Sequence, residues 1–462
     1  MSSSVDGLRP LSRRLRPPSA DARRLRQAYR EFRRSALPGA AAIVGSALVA
    51  LIVADALTFS RSRAIVIVYL VVALAAIAHR GLLGVTQLLA ATLPWLVVAG
   101  TRLPPLTKTF AAAAVTVLVI LVVLPRGDGS KRSFFLRLGI VCFYGPVLLS
   151  LAREGYSDQF IQAAKYALFP AMVLAVTEVT NHQSLLSLAR VALVSGTIAV
   201  GANLALGVAG FSSQYYGAGE LLGLASEHDL ALLAGCVTAA CLAASASVRG
   251  SAAVAVTAIA TVATGVRSTL PGLALLAFAK MLEAGARLRT IALVALAVIA
   301  VFVSGAAAVV EARFRAGETT GEFQSFSSLG SGRGEVYSTA IDSWRSSSAI
   351  DWGLGMGLRS IPKLQEEKLG TAVVGHSDLV EVGVQLGIVG LIGLFLIWGV
   401  LIAGARSKAP LFVLGSFALF NGALEYGAPL VVAILLTANV GDGFHHASSS
   451  RPRRDSPVGR GM

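Results

Sequence analysis

The side chains able to do chemistry are concentrated between Glu311 and Gly404, the one long polar interruption in a chain otherwise made of apolar runs. Arg333-Gly-Glu-Val-Tyr337 leads to Trp344-Arg345; Gly353-Leu-Gly-Met-Gly357 follows, then Arg359, Lys363 and Lys368. Gly375-His376-Ser377-Asp378 closes the stretch and opens an apolar run from Leu379. Asp378, with Glu381 three residues later, has the spacing of a capping box, which sets His376 just ahead of a helix N-terminus. The positive end of a helix favours the neutral imidazole, so His376 has the character of a proton acceptor near neutral pH. Glu381, one turn into that helix, stands where it could orient the ring. Three alternating glycines permit a tight turn and let another group approach the backbone closely. As a nucleotide fingerprint they fail, because no strand precedes them.

These residues need elements to hold them. Val336, Ala340, Ile341 and Trp344 recur at helical spacing, which predicts an amphipathic helix over 334–348 lying over the membrane. A second short helix is expected at about 359–369, carrying Arg359, Lys363 and Lys368.

The frame is a membrane protein. Of 462 residues, 55% are hydrophobic and only 14% are charged, where a soluble domain carries about a quarter; mean hydropathy is +0.71. Apolar spans are expected at 39–58, 61–78, 81–101, 109–125, 134–152, 159–180, 184–210, 229–248, 251–266, 268–286 and 289–310 before the loop. Spans at 379–403, 410–424 and 426–440 follow it. Helices are the only open-ended solution, since an unpaired backbone group in lipid costs several kcal/mol. The expectation is an all-α polytopic integral membrane bundle of 12–14 helices with one large extracytoplasmic loop containing short helices. By segment, this gives a basic arm at 1–38, the bundle at 39–310, the loop at 311–378, C-terminal spans at 379–440 and a basic tail at 441–462.

The net charge of +15 is unevenly placed. Ten arginines from Arg9 to Arg34 precede the first apolar run, and Arg451, Arg453 and Arg454 follow the last. The positive-inside rule puts both termini in the cytoplasm and the long loop outside. Anionic lipid headgroups, not nucleic acid, are the partner expected for the basic arms. Arg61, Arg63, Arg102 and Lys108 run against this topology. Cys142, Cys236 and Cys241 are scattered through apolar runs and read as small core residues. Glu227-His228-Asp229 has the residue types of a metal cluster, but neighbouring side chains on a helix point different ways, and neither metal nor cofactor is expected. Tyr215 and Tyr216 could stack on sugar rings, or anchor the loop 211–228 at the membrane interface.

Taken together, Ser331-Gly-Arg333, Trp344, Gly353-Leu-Gly-Met-Gly357, His376-Ser377-Asp378-Leu379 and Gly387-Ile-Val-Gly390 resemble the C-terminal signature of the O-antigen ligase/polymerase superfamily. Thr264-Gly-Val-Arg267-Ser268 is similar to the family's outer arginine–serine turn, and Phe420-Asn421-Gly-Ala-Leu-Glu425 to its last pair of spans. Ser377 stands where the family commonly has Asn. The resemblance implies a GT-C type glycosyltransferase of the bacterial cytoplasmic membrane. Such an enzyme moves glycan from a polyprenyl diphosphate carrier to a sugar hydroxyl on a growing glycan or lipid, at the outer face and without metal. In that reading Arg267 and Arg333 hold the diphosphate, because guanidinium forks match phosphate oxygens. His376 is the base, while Arg345, Arg359, Glu381, Tyr215 and Tyr216 are substrate-binding candidates. Polymerase and ligase share these features. A transporter or flippase of lipid-linked glycan is the alternative; it would call for ion pairs along a route through the bilayer. A docking scaffold is the third reading.

Overall fold

The computed structural model describes residues 82–99, 105–123, 131–154, 157–179, 181–209, 225–244, 248–264, 266–283, 333–369 and 377–438. The chain divides into Met1–Val49 and Ala50–Met462, and every described element belongs to the second unit. Among the described residues all regular structure is helical. The helices are α1 Leu82–Val98, α2 Pro105–Val123, α3 Lys131–Glu154, α4 Ser157–Thr177, α5 His182–Val208, α6 Glu227–Ala244, α7 Val248–Ala263 and α8 Leu270–Glu283. Further along the chain come α9 Arg333–Arg345, α10 Ala349–Leu354, α11 Ser360–Leu369, α12 Asp378–Gly404, α13 Ala409–Phe420 and α14 Gly427–Leu436. The expected spans at 39–58, 61–78 and 289–310, both basic termini and loop residues 284–332 lie outside the described residues.

Among the described residues five helices (α3, α4, α5, α6 and α12) are long and apolar enough to cross a membrane, so the protein is a polytopic helical membrane protein. Six others are apolar but shorter, among them α13 and α14. All ten residues of α14 are buried, against α6, α4, α2 and α5. At ten residues it is about 15 Å long, roughly half the hydrocarbon thickness. Its turn to α13 is therefore sunk in the bundle.

The most extensive helix pair is α3 with α12. Their contact is made by small residues: a Cβ on Gly393 would lie 2.5 Å from the Phe143 nitrogen, and one on Gly139 would lie 3.0 Å from the Leu396 Cβ. With lipid as apolar as leucine, close packing of this kind is what holds two such helices together.

α12 is two helices in sequence. Gly387 has φ 69° and ψ −169°, which breaks the hydrogen-bond ladder and frees the carbonyls of Val384 and Gln385. The glycine-rich turn takes them up: the Met356 N–H donates to the Val384 carbonyl at 2.8 Å and the Gly357 N–H to the Gln385 carbonyl at 3.1 Å. The contact is backbone on backbone, since a Cβ on Gly355 would sit 2.1 Å from the Gln385 oxygen and one on Gly387 2.3 Å from the Gly353 oxygen. Gly355 also has φ 86°. The close approach expected of the glycine run is thus present, and its partner is the break in α12.

The loop helices match expectation in position, with one difference in role. The apolar face of α9 does not look at the membrane: Ala340 is packed with Ile361 of α11 and Val384 of α12, with Trp344 and Met356 beside them. One helix was not foreseen. α10 starts because Ser348 caps it, its hydroxyl accepting the Asp351 N–H at 3.2 Å, and it draws Gly353 into a helix instead of the turn.

The lock predicts that Gly355→Ala and Gly387→Ala each destabilise the protein by at least about 2 kcal/mol, from positive φ and backbone overlap together. Gly399→Ala is the control, because its added Cβ meets nothing within 4 Å. Thermal unfolding of the detergent-solubilised chain should lower Tm in the first two and leave it unchanged or raised in the third.

Candidate functional site

The polar residues of the bundle gather where α2, α4, α6 and α12 begin and α13 turns into α14. Asp378, the first residue of α12, is buried. Its carboxylate does not serve its own helix. Oδ2 accepts the Ala423 N–H at 3.0 Å and Oδ1 the Leu424 N–H at 3.1 Å, so it clasps the 3-10 turn Ala423–Glu425. This corrects the capping box. Ser377 precedes the helix without a side-chain cap, and Glu381, fully buried, directs its carboxylate to the Tyr166 hydroxyl at 3.4 Å. The backbone N–H groups of the turn, distant in sequence, outcompete the local cap because they too are buried donors that need an acceptor.

Glu425, at the end of the same turn, pairs with Lys165 of α4 at 2.7 Å and takes a hydrogen bond from the Gln162 amide. The turn is therefore held from two sides by charge, Asp378 at its first amides and Lys165 at its last side chain. Next to it, Asn421 meets the His228 Nδ1 at 3.1 Å, and the His228 and Tyr426 rings lie 6.1 Å apart. Asp229 is bound to Lys108 at 2.5 Å and to the Ser226 hydroxyl at 2.8 Å. Asp229 thus turns to Lys108 and Ser226, while the Glu227 carboxylate lies 3.6 Å from the His228 Nε2. Lys108, a cation out of place by the topology rule, is neutralised by the Asp229 carboxylate.

Arg267 opens a 3-10 turn, Arg267–Thr269, between α7 and α8. The turn drops beside the middles of α6 and α13. The Ser416 hydroxyl in the middle of α13 donates to the Ser268 carbonyl at 2.5 Å, and a Cβ on Gly235, in the middle of α6, would touch Thr269 at 3.5 Å. The drop is possible because Gly272 lets α8 press on the α13 backbone, where a Cβ would lie 2.3 Å from the Phe412 oxygen. The segment beside Arg267 and the segment just after position 376 are consequently fastened to one element. Ser416 lies in the second half of α13 and Ala423 opens the 3-10 turn that follows it.

Arg333 begins α9, and for it and Arg267 the description extends to the backbone alone. His376, Tyr215 and Tyr216 lie outside the described residues. Arg345 is exposed at the end of α9, away from the bundle's buried polar group. Arg359 is half-buried and has φ 62°, the single non-glycine residue with positive φ among those described. Its amide donates to the Gln385 Oε1 at 2.9 Å, which ties the strained residue to the break in α12. Lys165, Gln162 and Tyr166 were missed by sequence reasoning. A lysine within an apolar span is the signal that could have found them.

Residues 252–395, less than half of the chain, match the family model described as O-antigen ligase. The match runs from α7 into α12 and takes in Arg267, Arg333, the glycine turn, His376 and Gly387. A comparison with curated protein sequences gave no match.

The charge clasp gives a prediction. Glu425→Leu strands Lys165 in the bundle and should cost about 2–4 kcal/mol, while adding Lys165→Met to it should recover most of that loss. A double variant no more stable than Glu425→Leu alone, by thermal unfolding, would show that the pair is not an energetic unit.

Proposed function

We propose that the protein is a glycosyltransferase that takes glycan from a polyprenyl diphosphate carrier and transfers it to, or polymerises it on, a sugar hydroxyl at the outer membrane face. The observation that carries this reading is the O-antigen ligase match over the stretch that holds Arg267, Arg333 and His376. The shared fastening of Ser268 and Asp378 to α13 and its turn supports it, because a reaction using groups from both segments needs them on one rigid support. In this reading His376 takes the proton of the attacking hydroxyl. The two guanidinium groups meet the charge that develops on the diphosphate as the glycosidic bond to it breaks. Arg345, Arg359 and Glu381, with Tyr215 and Tyr216, remain candidates for holding glycan or carrier.

One observation favours a second reading, a transporter or flippase of lipid-linked glycan. Lys165, paired with Glu425 of the 3-10 turn, lies within a membrane-length helix, and an ion pair at such a place is a feature such a route asks for. The two readings separate on chemistry. In a strain lacking the protein, the glycosyltransferase reading expects a lipid-linked glycan to accumulate on the outer face: short units if the enzyme is a polymerase, full-length carrier-linked chains if it is a ligase. His376→Ala in the purified protein should lower transfer by about 10²–10⁴-fold. Arg333→Lys should restore little of what Arg333→Ala loses, because an ammonium lacks the guanidinium fork. Full transfer by His376→Ala would overturn the assignment of the base, and accumulation on the cytoplasmic face would favour the transporter.

A further inference from the structure

Apolar side chains exposed along membrane helices are accounted for by lipid, but α10 belongs to the polar loop. None of its six residues is buried, Ile350 is 60% exposed and Trp352 is 49% exposed. Its neighbours behave otherwise: Ala340 of α9 and Ile361 of α11 turn fully inward. A loop helix that leaves its largest apolar groups uncovered, beside two helices that do not, calls for a specific cover.

α3 shows what that cover is. Phe134, Leu138, Val141 and Leu148 are exposed in a stripe along it, spaced four, three and seven residues apart, on the side away from the bundle core. Two exposed arginines accompany the stripe, Arg137 three residues after its start at Phe134 and Arg153 beyond its other end. Sixteen residues separate them, about 24 Å along the helix. Long cationic side chains reach a few ångströms further to the headgroups at either side, which brings the span close to the ~30 Å hydrocarbon layer. Arg153 therefore marks headgroup depth at the loop end of the bundle. Its guanidinium lies 3.7 Å from the carboxylate of Asp351, the residue between Ile350 and Trp352. The height is fixed a second time by the Ser150 hydroxyl, which accepts the Leu358 N–H at 2.7 Å.

We infer that α10 is an interfacial anchor whose Trp352 and Ile350 enter the boundary between headgroups and acyl chains beside Arg153. An indole suits that layer, with an apolar body and a polar edge. The anchor is rigidly joined to the loop. Trp352 stacks on Trp344 with ring centres 6.3 Å apart and planes 18° from parallel, and the Trp344 indole N–H donates to the Asp351 carbonyl at 3.1 Å. Gly353, one residue before the end of the same helix, leads straight into the lock on α12. The bilayer surface thereby sets the level at which the glycine turn meets Gly387. This holds whatever reaction the protein catalyses.

The test is tryptophan depth in proteoliposomes. A full-length variant with Trp95→Phe, Trp344→Phe and Trp398→Phe leaves Trp352 as the only indole. Phosphatidylcholine brominated near the headgroup should remove the larger part of its emission, lipid brominated near the chain ends should remove much less, and aqueous iodide should quench weakly. Strong iodide quenching without quenching by either brominated lipid would overturn the inference and leave a water-facing surface for another protein. Should the triple variant not fold, the emission difference between the wild-type chain and Trp352→Phe in the same three conditions carries the same two outcomes.

Discussion

Two backbones touch without side chains between them where Gly355 meets Gln385 and Gly387 meets Gly353, and much of the loop end of this protein follows from that contact. A continuous α12 would keep its carbonyls to itself. The break exposes two of them inside an apolar bundle, where an unpaired acceptor is costly, and the glycine turn supplies the amides. Neither partner is stable alone: the break needs the turn's N–H groups, and the turn needs a surface with no Cβ. From this junction the loop helices α9 and α11 reach their seat on Val384, Arg359 is pressed into positive φ, and the first part of α12 is set so that Asp378 arrives at the amides of Ala423 and Leu424.

Charge plays a different part on each side of the α13–α14 turn. Asp378 spends its carboxylate on backbone donors that no local helix could satisfy, while Glu425 is matched by Lys165 and Gln162 from α4. Ser416 adds a third tie, to the carbonyl of Ser268. Segments distant in sequence are thus brought to one short element by hydrogen bonds instead of by apolar packing alone. In a bundle surrounded by lipid, where apolar burial distinguishes helix from helix only weakly, such bonds fix register and rotation.

The spans were legible because the membrane imposes a length and a composition that hydropathy reads directly. The described helices from α1 to α8 and from α12 to α14 fall on expected runs with shifts of a few residues at their ends. The helical spacing of Val336, Ala340 and Trp344 likewise gave α9. What the sequence did not disclose were choices between equivalent partners. Asp378 and Glu381 have the spacing of a local cap, and only the presence of the 423–425 turn diverts Asp378 from it. The depth of the Arg267–Thr269 turn depends on Gly272 and Gly235 facing α13 and Thr269, and the pattern of a single helix does not contain that information. The glycine run was readable as a close approach, but its partner sat thirty residues further on, disguised as an ordinary glycine in an apolar helix.

The shortness of α14 also bears on how the protein is assembled. Ten apolar residues make a weak signal for insertion, and every one of them ends up covered by helices from α2, α4, α5 and α6, made well before it on the ribosome. Its place exists only once those four have come together. The carboxylate of Glu425, carried on the same hairpin, can leave water only when Lys165 is already waiting. Folding of the hairpin is then a docking event into a preformed socket, and the latest step of biogenesis for the described chain is the one that closes its polar centre.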